Sequence, residues 1–562
     1  MEQVILIAHH LQLLTNTLSL GIMTPRNLNP RAQMDVYPSS PALRLPPEPL
    51  VNIFAHLVTH SSPTILLRIC RRWADIASSI SSLWTRIDFS TPPTPLLQRS
   101  IDLPIEVNLS SSPVLPTAAQ FMAAKEVLSL HSDRILKLVL DLSVGRLRHI
   151  RPKLRATFPI LEDVTISLAD HSSLSNPYQD FPEWTPFATP SPIRYLRLLL
   201  VKTPWVPGRF RNLVEFFLHD QWHLDWDPSM EVFLEILESS PQLTVLSLAN
   251  AGPRFPLLTT ALPPASHIVH LHNLQQLYLE QEDVCDVGWI LVHLDIPASA
   301  NVRIFVDLSL GEQRNVPLEH VFDLALPDHH GFPHLTNPYR CTYAVDNQPS
   351  CLITAPNFAF RAIWDDDQDD DQDDDQGDDQ DDNHEVYSEY FMLPFLRRVT
   401  GVIEDLSVIS NMGMGYNISG SFWNEIFGTL GSLRKLRVNH LQDDGAFPIW
   451  ELLESQLCPK LQDLELSCIV FGREGKGERL DDPVVGRLVD YCVEQNWRGH
   501  RLERLVIEAP SNAPSDLISL LAPHVDYVEI RGYVSRDEGV GDLEFGSREV
   551  FDSLRTCRHD RF

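Results

Sequence analysis

Residues 227–248 read DPSMEVFLEILESSPQLTVLSL, and two structural periods follow one another inside them. Asp227-Pro228-Ser229 is the signature of a helix start, a capping side chain beside a proline. The stretch Met230–Leu237 is then helical in pattern, and Ser239-Ser240-Pro241 stops it. Leu243, Leu246 and Leu248 follow at positions 1, 4 and 6 of a new unit. Positions 4 and 6 share one face of a strand, because side chains alternate with a period of two. Position 1 reaches the same core from the incoming turn. Helix and then strand in one short segment predicts an α/β architecture.

The same apolar triplet recurs on both sides. Before it stand Leu161-Val164-Ile166, Ile193-Leu196-Leu198 and Leu213-Phe216-Leu218, and after it Leu274-Leu277-Leu279. It resumes at Ile403-Leu406-Val408, Leu433-Leu436-Val438, Leu461-Leu464-Leu466, Leu502-Leu505-Ile507 and Val525-Val528-Ile530. Phe422–Leu430 (FWNEIFGTL) precedes the strand at Leu433 as Met230–Leu237 precedes the one at Leu243. Strand, helix, strand at roughly 30-residue intervals predicts parallel strands with helices outside. Val302–Leu308 and Cys351–Thr354 read as further strands in the interval 280–401, where the triplet lapses.

A second segment, residues 45–90, reads LPPEPLVNIFAHLVTHSSPTILLRICRRWADIASSISSLWTRIDFS. Pro46, Pro47 and Pro49 suit a first helical turn, and Glu48 places negative charge at the positive end of the helix dipole. Leu50, Ile53, Phe54 and Leu57 then share one helical face. Ser61-Ser62-Pro63 predicts the start of a second helix, on which Leu66, Leu67, Ile69, Cys70, Trp73, Ala74, Ile76 and Ala77 cover about half the circumference. Arg68, Arg71, Arg72 and Asp75 take the other half. So short a unit buries little on its own, and no metal ligands or disulfide pairs support it. Its apolar surplus points to a protein partner, with Leu50, Ile53, Phe54 and Leu57 expected to be partly exposed in the free chain.

Leu45-Pro46-x-Glu48, the core Leu50, Ile53, Phe54 and Leu57, the run Ile69-Cys70-Arg71-Arg72-Trp73 and the closing Leu83-Trp84 together resemble an F-box. Pro49 departs from the Leu or Ile usual there, which removes one apolar contact. The resemblance implies docking on the adaptor of SCF (Skp–cullin–F-box) ubiquitin ligases and, through it, on cullin. Leu45, Pro46, Leu50, Ile53, Phe54, Leu57, Ile69, Cys70 and Trp73 are the implied adaptor-binding residues. The triplet region resembles the degenerate leucine-rich repeats of fungal F-box proteins, whose template period is 20–29 residues. Asn or Cys normally bonds the turn at position 9 of that template. Here Ala169, Gln221, Ala251, Glu282 and Ile469 occupy it, so the turns must be satisfied otherwise and an irregular solenoid is expected.

The organisation that follows has a lead-in over 1–44, a helical unit over 45–90 and repeat-like regions over 100–363 and 387–545. Between the last two lies an Asp-rich insertion, 364–386, with 13 Asp in the 18 residues Asp365–Asp382. Such a tract repels itself and is expected to be disordered and solvated, with docking of a basic partner as the alternative. Across the chain 75 acids against 45 Lys and Arg give a formal charge of −30, which argues against a phosphate-neutralising nucleic-acid binder. Eight cysteines without a CxxC pair suit a reducing compartment, cytoplasmic or nuclear. No apolar run is long enough for a transmembrane helix, and residues 1–22 lack the basic start of a secretory signal.

Catalytic signatures are missing from the sequence. It has no phosphate-binding G-x-x-x-x-G-K-[ST] loop, no G-x-S-x-G elbow and no H-E-x-x-H helix. Asp328-His329-His330 sits between Pro327 and Gly331 as a surface loop would, and the pairs Cys341/Cys351 and Cys458/Cys468 read as buried free thiols. The chain is expected to use no cofactor or metal and to catalyse nothing itself. It would recruit an unidentified protein target for ubiquitin transfer, or else serve as an interaction scaffold that drives no degradation. An enzyme on an α/β scaffold is the remaining alternative.

Overall fold

The computed structural model describes residues 45–60, 63–89, 91–110, 116–168, 192–201, 205, 208, 210–221, 228–255, 265–281, 283–308, 321, 324–326, 340–346, 350–363, 395–396, 403–410, 427–439, 458–467, 483–508 and 516–531. The lead-in, the Asp-rich tract, Asp328-His329-His330, Cys351, Cys468 and most of Phe422–Leu430 fall outside the residues or side chains so described. The chain divides into two compact units, Met1–Trp226 and Asp227–Phe562.

The first unit opens with helices. α1 (Pro47–His60), a 3₁₀ turn (Pro63–Ile65), α2 (Leu66–Ile69), α3 (Arg71–Ser79) and a second 3₁₀ turn (Ser81–Trp84) precede β1 (Arg86–Ile87). Then come α4 (Pro93–Ser100), β2 (Ile105–Ser110), α5 (Ala118–Leu130), β3 (Ile135–Leu142), α6 (Val144–Leu154), β4 (Asp163–Leu168), β5 (Tyr195–Leu199) and β6 (Glu215–His219). β1 to β6 lie side by side in chain order, every pairing parallel. Consecutive parallel strands require crossovers, and α5 and α6 supply two of them. The predicted triplets are the rungs. Val107, Leu138, Val164, Leu196 and Phe216 form one row, and Leu109, Leu140, Ile166, Leu198 and Leu218 the next. Both rows are buried. β2 and β3 extend the ladder upstream of the first triplet read from sequence. Ile135-x-x-Leu138-x-Leu140 carries the full spacing.

The second unit starts with α7 (Met230–Glu238), capped by Ser229, whose hydroxyl accepts from the Val232 N–H. Its strands are β7 (Val245–Ala249), β8 (Val269–His270), β9 (Gln276–Gln281), β10 (Leu294–Asp295), β11 (Asn301–Asp307), β12 (Arg340–Asp346), β13 (Ser350–Ala355) and β14 (Phe358–Ile363). β15 (Asp405–Ser410), β16 (Lys435–Asn439), β17 (Asp463–Ser467), β18 (Leu502–Glu508) and β19 (Val525–Arg531) complete them. The helices α8 (Val284–Val292), α9 (Pro483–Trp497) and α10 (Leu517–Leu521) lie on crossovers. β7, β9, β11 and β14 pair in parallel, as do β12 and β15 through β19 in order. β8 and β10 form a separate short parallel pair. Leu406, Leu436, Leu464, Leu505 and Val528 make one continuous row.

The interval without triplets departs from the uniform parallel plan. β12, β13 and β14 pair antiparallel as a meander, inserted so that β14 joins β11 and β12 joins β15. The strands read at Val302 and Cys351 are β11 and β13. The architecture is mixed α/β with a large, mostly parallel sheet behind a helical N-terminal region.

One of the missing position-9 asparagines has a substitute, and a position-8 glutamine adds another turn bond. Gln221, buried, donates from Nε2 to the carbonyl of Val201, which holds position 9 of the preceding unit. Gln281, also buried but at position 8 of its unit, donates from Nε2 to the Ala251 carbonyl at 2.8 Å, position 9 of the unit before, while Ala169, Glu282 and Ile469 lie outside the described residues. The longer amide thus bonds the neighbouring turn instead of its own. Three consecutive turns place position 8 in the left-handed region, at Leu200 (φ 58°), Asp220 (φ 52°) and Asn250 (φ 48°). Asp and Asn tolerate that region, while leucine is strained in it.

Candidate adaptor-docking site

The helical unit of residues 45–89 is built around two tryptophans. Phe54 on α1 meets Trp73 on α3 at 4.8 Å between ring centroids, with planes inclined by 58°. Leu50, Ile53, Phe54 and Leu57 are all buried, as are Leu66, Trp73, Ala77, Leu83 and Trp84. The expectation that the α1 quartet is partly exposed is therefore corrected. That stripe faces α3 and the 3₁₀ turns and is consumed as the unit's own core.

The second correction concerns the second helix, which is two. Cys70 is extended (φ −159°, ψ 165°) and splits it into α2 and α3. Its Sγ accepts the Trp73 N–H at 3.4 Å, so the thiol acts as the cap of α3. A single 100°-per-residue projection across Cys70 consequently fails, and the half-circle apolar face read from sequence does not exist as one surface. Ile69 is left 43% exposed at the break, with Arg68 and Arg71 exposed on either side of it and Cys70 half-buried.

Side-chain bonds hold the remaining pieces. Arg72 donates from a terminal nitrogen to the Leu45 carbonyl at 2.6 Å, pinning the opening turn. Leu45 there is half-buried and Pro46 exposed. Trp84 donates from Nε1 to the Ala77 carbonyl at 2.8 Å, and the Arg99 guanidinium lies 4.7 Å above its ring. Trp73 Nε1, by contrast, is buried without a hydrogen-bond partner. The nine residues singled out from sequence thus divide in two. Leu50, Ile53, Phe54, Leu57 and Trp73 are interior, while Leu45, Pro46, Ile69 and Cys70 retain access to solvent. Arg72 was not singled out, since a guanidinium clamp on a carbonyl 27 residues away leaves no periodic signal.

Residues 42–90 match the F-box-like family. F-box domains bind Skp-type adaptors and cullin complexes, and an F-box-like domain suggests a role as an F-box component of SCF-type ligases. The search of curated proteins returned no match to the chain.

The F-box-like domain is tied directly to the sheet. β1 pairs with β2 at Arg86–Glu106 and Ile87–Val107, and the Glu106 N–H donates to the Thr85 carbonyl at 2.9 Å. The open face of the first unit's sheet carries an ion ladder across four strands. Lys137 pairs with Asp163 at 2.7 Å, Asp163 with Arg197 at 3.4 Å, and Arg197 with Glu215. The second unit repeats the device. Asp405 takes Arg340 at 3.0 Å and Arg437 at 3.4 Å, and Arg437 reaches Glu465 at 3.4 Å. Glu529 accepts from Arg531 and, more distantly, from Arg504, and the Arg531 hydrogen bond holds its carboxyl below the usual range. Among the described residues no three His, Cys, Asp or Glu side chains come together as a metal would require, and no helix is long and apolar enough to cross a membrane. Cys341 and Cys492 are buried free thiols, each pushed up to about 12 by desolvation.

Proposed function

We propose that the protein is a substrate-recruiting F-box subunit of an SCF-type ubiquitin ligase, with the parallel-stranded region as a degenerate, fungal-type leucine-rich-repeat solenoid that holds the target. The F-box-like match over 42–90 carries this proposal, supported by the strand pairing that joins the domain to the sheet. In-order parallel strands with triplets in register are what a repeat solenoid would build. Leu45, Pro46, Ile69 and Cys70 are the adaptor's contacts. Leu50, Ile53, Phe54, Leu57 and Trp73 hold that face in shape from within. Residues 100–363 and 387–545 form the two repeat regions on either side of the Asp-rich insertion, and the target binds the ion-laddered sheet face. The protein makes no bond itself. It raises the effective concentration of a target lysine near the conjugating enzyme, without nucleic acid, membrane or cofactor.

The test is capture of the SCF adaptor by full-length protein and by the Leu45→Ala/Pro46→Ala double variant. Loss of an interface anchor costs about 2 kcal/mol, roughly thirtyfold in affinity. The variant should lose capture by that factor with an unchanged circular dichroism spectrum. Undiminished capture by the variant would refute the assignment of the docking edge. Adaptor capture without cullin in the purified complex would favour a scaffold over a ligase subunit.

A further inference from the structure

The parallel ladder of the second unit ends on an uncovered rung. In β15 to β18 both strand positions of each triplet are buried: Leu406 and Val408, Leu436 and Val438, Leu464 and Leu466, Leu505 and Ile507. On β19 the same positions, Val528 and Ile530, are only half-buried, and Ile518 on the adjoining α10 is 44% exposed. β19 is seven residues long and pairs with β18 on one side. Among the described residues no strand pairs with its other side. A long edge strand with an apolar row partly open to water invites another chain to add, so proteins blunt or cover it. Units stacked in a row need a terminal unit that covers the last of them.

The described residues stop at Arg531, and residues 532–562 follow in the sequence. Within them Val540-Gly541-Asp542-Leu543-Glu544-Phe545 carries the triplet spacing once more. The segment Leu461-Gln462-Asp463-Leu464-Glu465-Leu466, which builds β17, has the same Asp, Leu and Glu and is apolar at the other two triplet positions. Asp542–Phe545 alternates charged and apolar residues, the pattern of a half-buried strand. Ser547 then precedes Val550, Phe551 and Leu554, which share one helical face. Glu549 near the start and Arg555 near the end suit the dipole of that helix.

We propose that the chain's own C-terminal segment, 540–557, docks on the open edge of β19. Asp542–Phe545 adds as a parallel strand, with Leu543 beside Val528 and Phe545 beside Ile530, and the following helix brings Val550, Phe551 and Leu554 over Ile518. Residues 532–541 are about as short a crossover as parallel strands accept. They suffice, because returning along β19 from Arg531 to the level of Tyr527 takes about 13 Å and the sideways step about 5 Å. The steps from Arg531 to Asp542 reach roughly 36 Å when extended. So short a tether holds the segment at an effective concentration in the millimolar range, beyond that of a second copy or a separate peptide. Asp526 and Arg531, charged and exposed on the edge strand, and the formal charge of −30 further oppose pairing between two copies. The segment lies outside the F-box-like domain, so the inference stands whether or not an adaptor is captured.

The experiment is hydrogen exchange, read peptide by peptide, on full-length wild type and on Leu543→Asp/Phe545→Asp. A labelled synthetic peptide of residues 538–560 is titrated into each by fluorescence anisotropy, and sedimentation velocity gives the association state. In wild type the β19 amides should be nearly as protected as those of β18. The variant should lose β19 protection at least about tenfold, with β18 unchanged. The peptide should bind the variant and leave wild type unbound, because there the edge is already filled. Should the double variant fail to fold, Leu543→Ser carries the comparison, with a loss of about threefold or more expected. Equal β19 exchange in wild type and variant overturns the proposal. Peptide capture by wild type as tight as by the variant also overturns it, since the edge would then be open to a separate strand. A wild-type dimer that persists in the variant overturns it in favour of a second copy.

Discussion

Phe54→Ala separates a residue that holds the F-box-like domain together from one proposed to meet its partner. The Phe54 side chain is fully buried, and its ring packs on Trp73 at 4.8 Å. Truncating a buried phenylalanine to alanine costs about 3–5 kcal/mol through lost burial and the cavity left behind. A helical unit this small has a margin of about 3–5 kcal/mol from its own core. The substitution should therefore consume most of that margin and open residues 45–89 locally, while the strands from β2 onward stay folded. Hydrogen exchange read peptide by peptide is the assay. Amides of α1 and α3 should lose protection by two or more orders of magnitude, at about 1.4 kcal/mol per tenfold. Ile69→Ala is the partner measurement. Ile69 is 43% exposed, so its loss should change stability by no more than about 0.5 kcal/mol while weakening adaptor capture. Full protection of α1 in Phe54→Ala, or local opening in Ile69→Ala, would refute the division of the nine residues into interior and docking sets.

Ile101 is β-branched, sits at φ 51° and is 61% exposed, so Ile101→Gly should relieve strain of about 1–3 kcal/mol against a glycine entropy cost of about 0.5–1 kcal/mol and raise the melting temperature by a few degrees. Gln281→Leu orphans the Ala251 carbonyl and should cost about 1–3 kcal/mol in urea titration, whereas a substitution at exposed Arg434 should cost little. Folded Cys341 and Cys492 stay protonated until about pH 12, while unfolded thiols ionise near 9, so the unfolded state binds fewer protons above pH 9. Stability should consequently fall as pH rises through that window and be unaffected by these groups below it. Alkylation at mildly alkaline pH should label both cysteines in urea and neither in the native protein.

Sequence periodicity carried a large share of this structure. The stop–helix–stop–triplet logic at 227–248 located α7 and β7, because burial on one face imposes its period whatever the neighbours are. The triplets fell into register for the same reason. What stayed illegible depended on reach rather than period. Gln221 looked like a failed cap because a glutamine bonds one strand further away than the template's asparagine. Cys70 looked like a residue on a helix, since a thiol seldom caps one and no spacing marks the break. The face of α1 showed that it was apolar, but not whether α3 or another protein would cover it.

In-register rows make the chain a kind of keyboard. Neighbouring strands stand about 4.8 Å apart, and outside the β12–β14 meander each crossover returns the chain to the next position. Within either unit, duplicating or deleting one strand-and-crossover segment would transpose every downstream contact by one such step and leave its orientation intact. Inserting a single residue into a strand would instead turn its outward side chains inward. If the sheet face holds the target as proposed, variation in what it binds is expected to come in whole steps, carried by unequal crossover lengths, while the buried leucine rows keep the tuning.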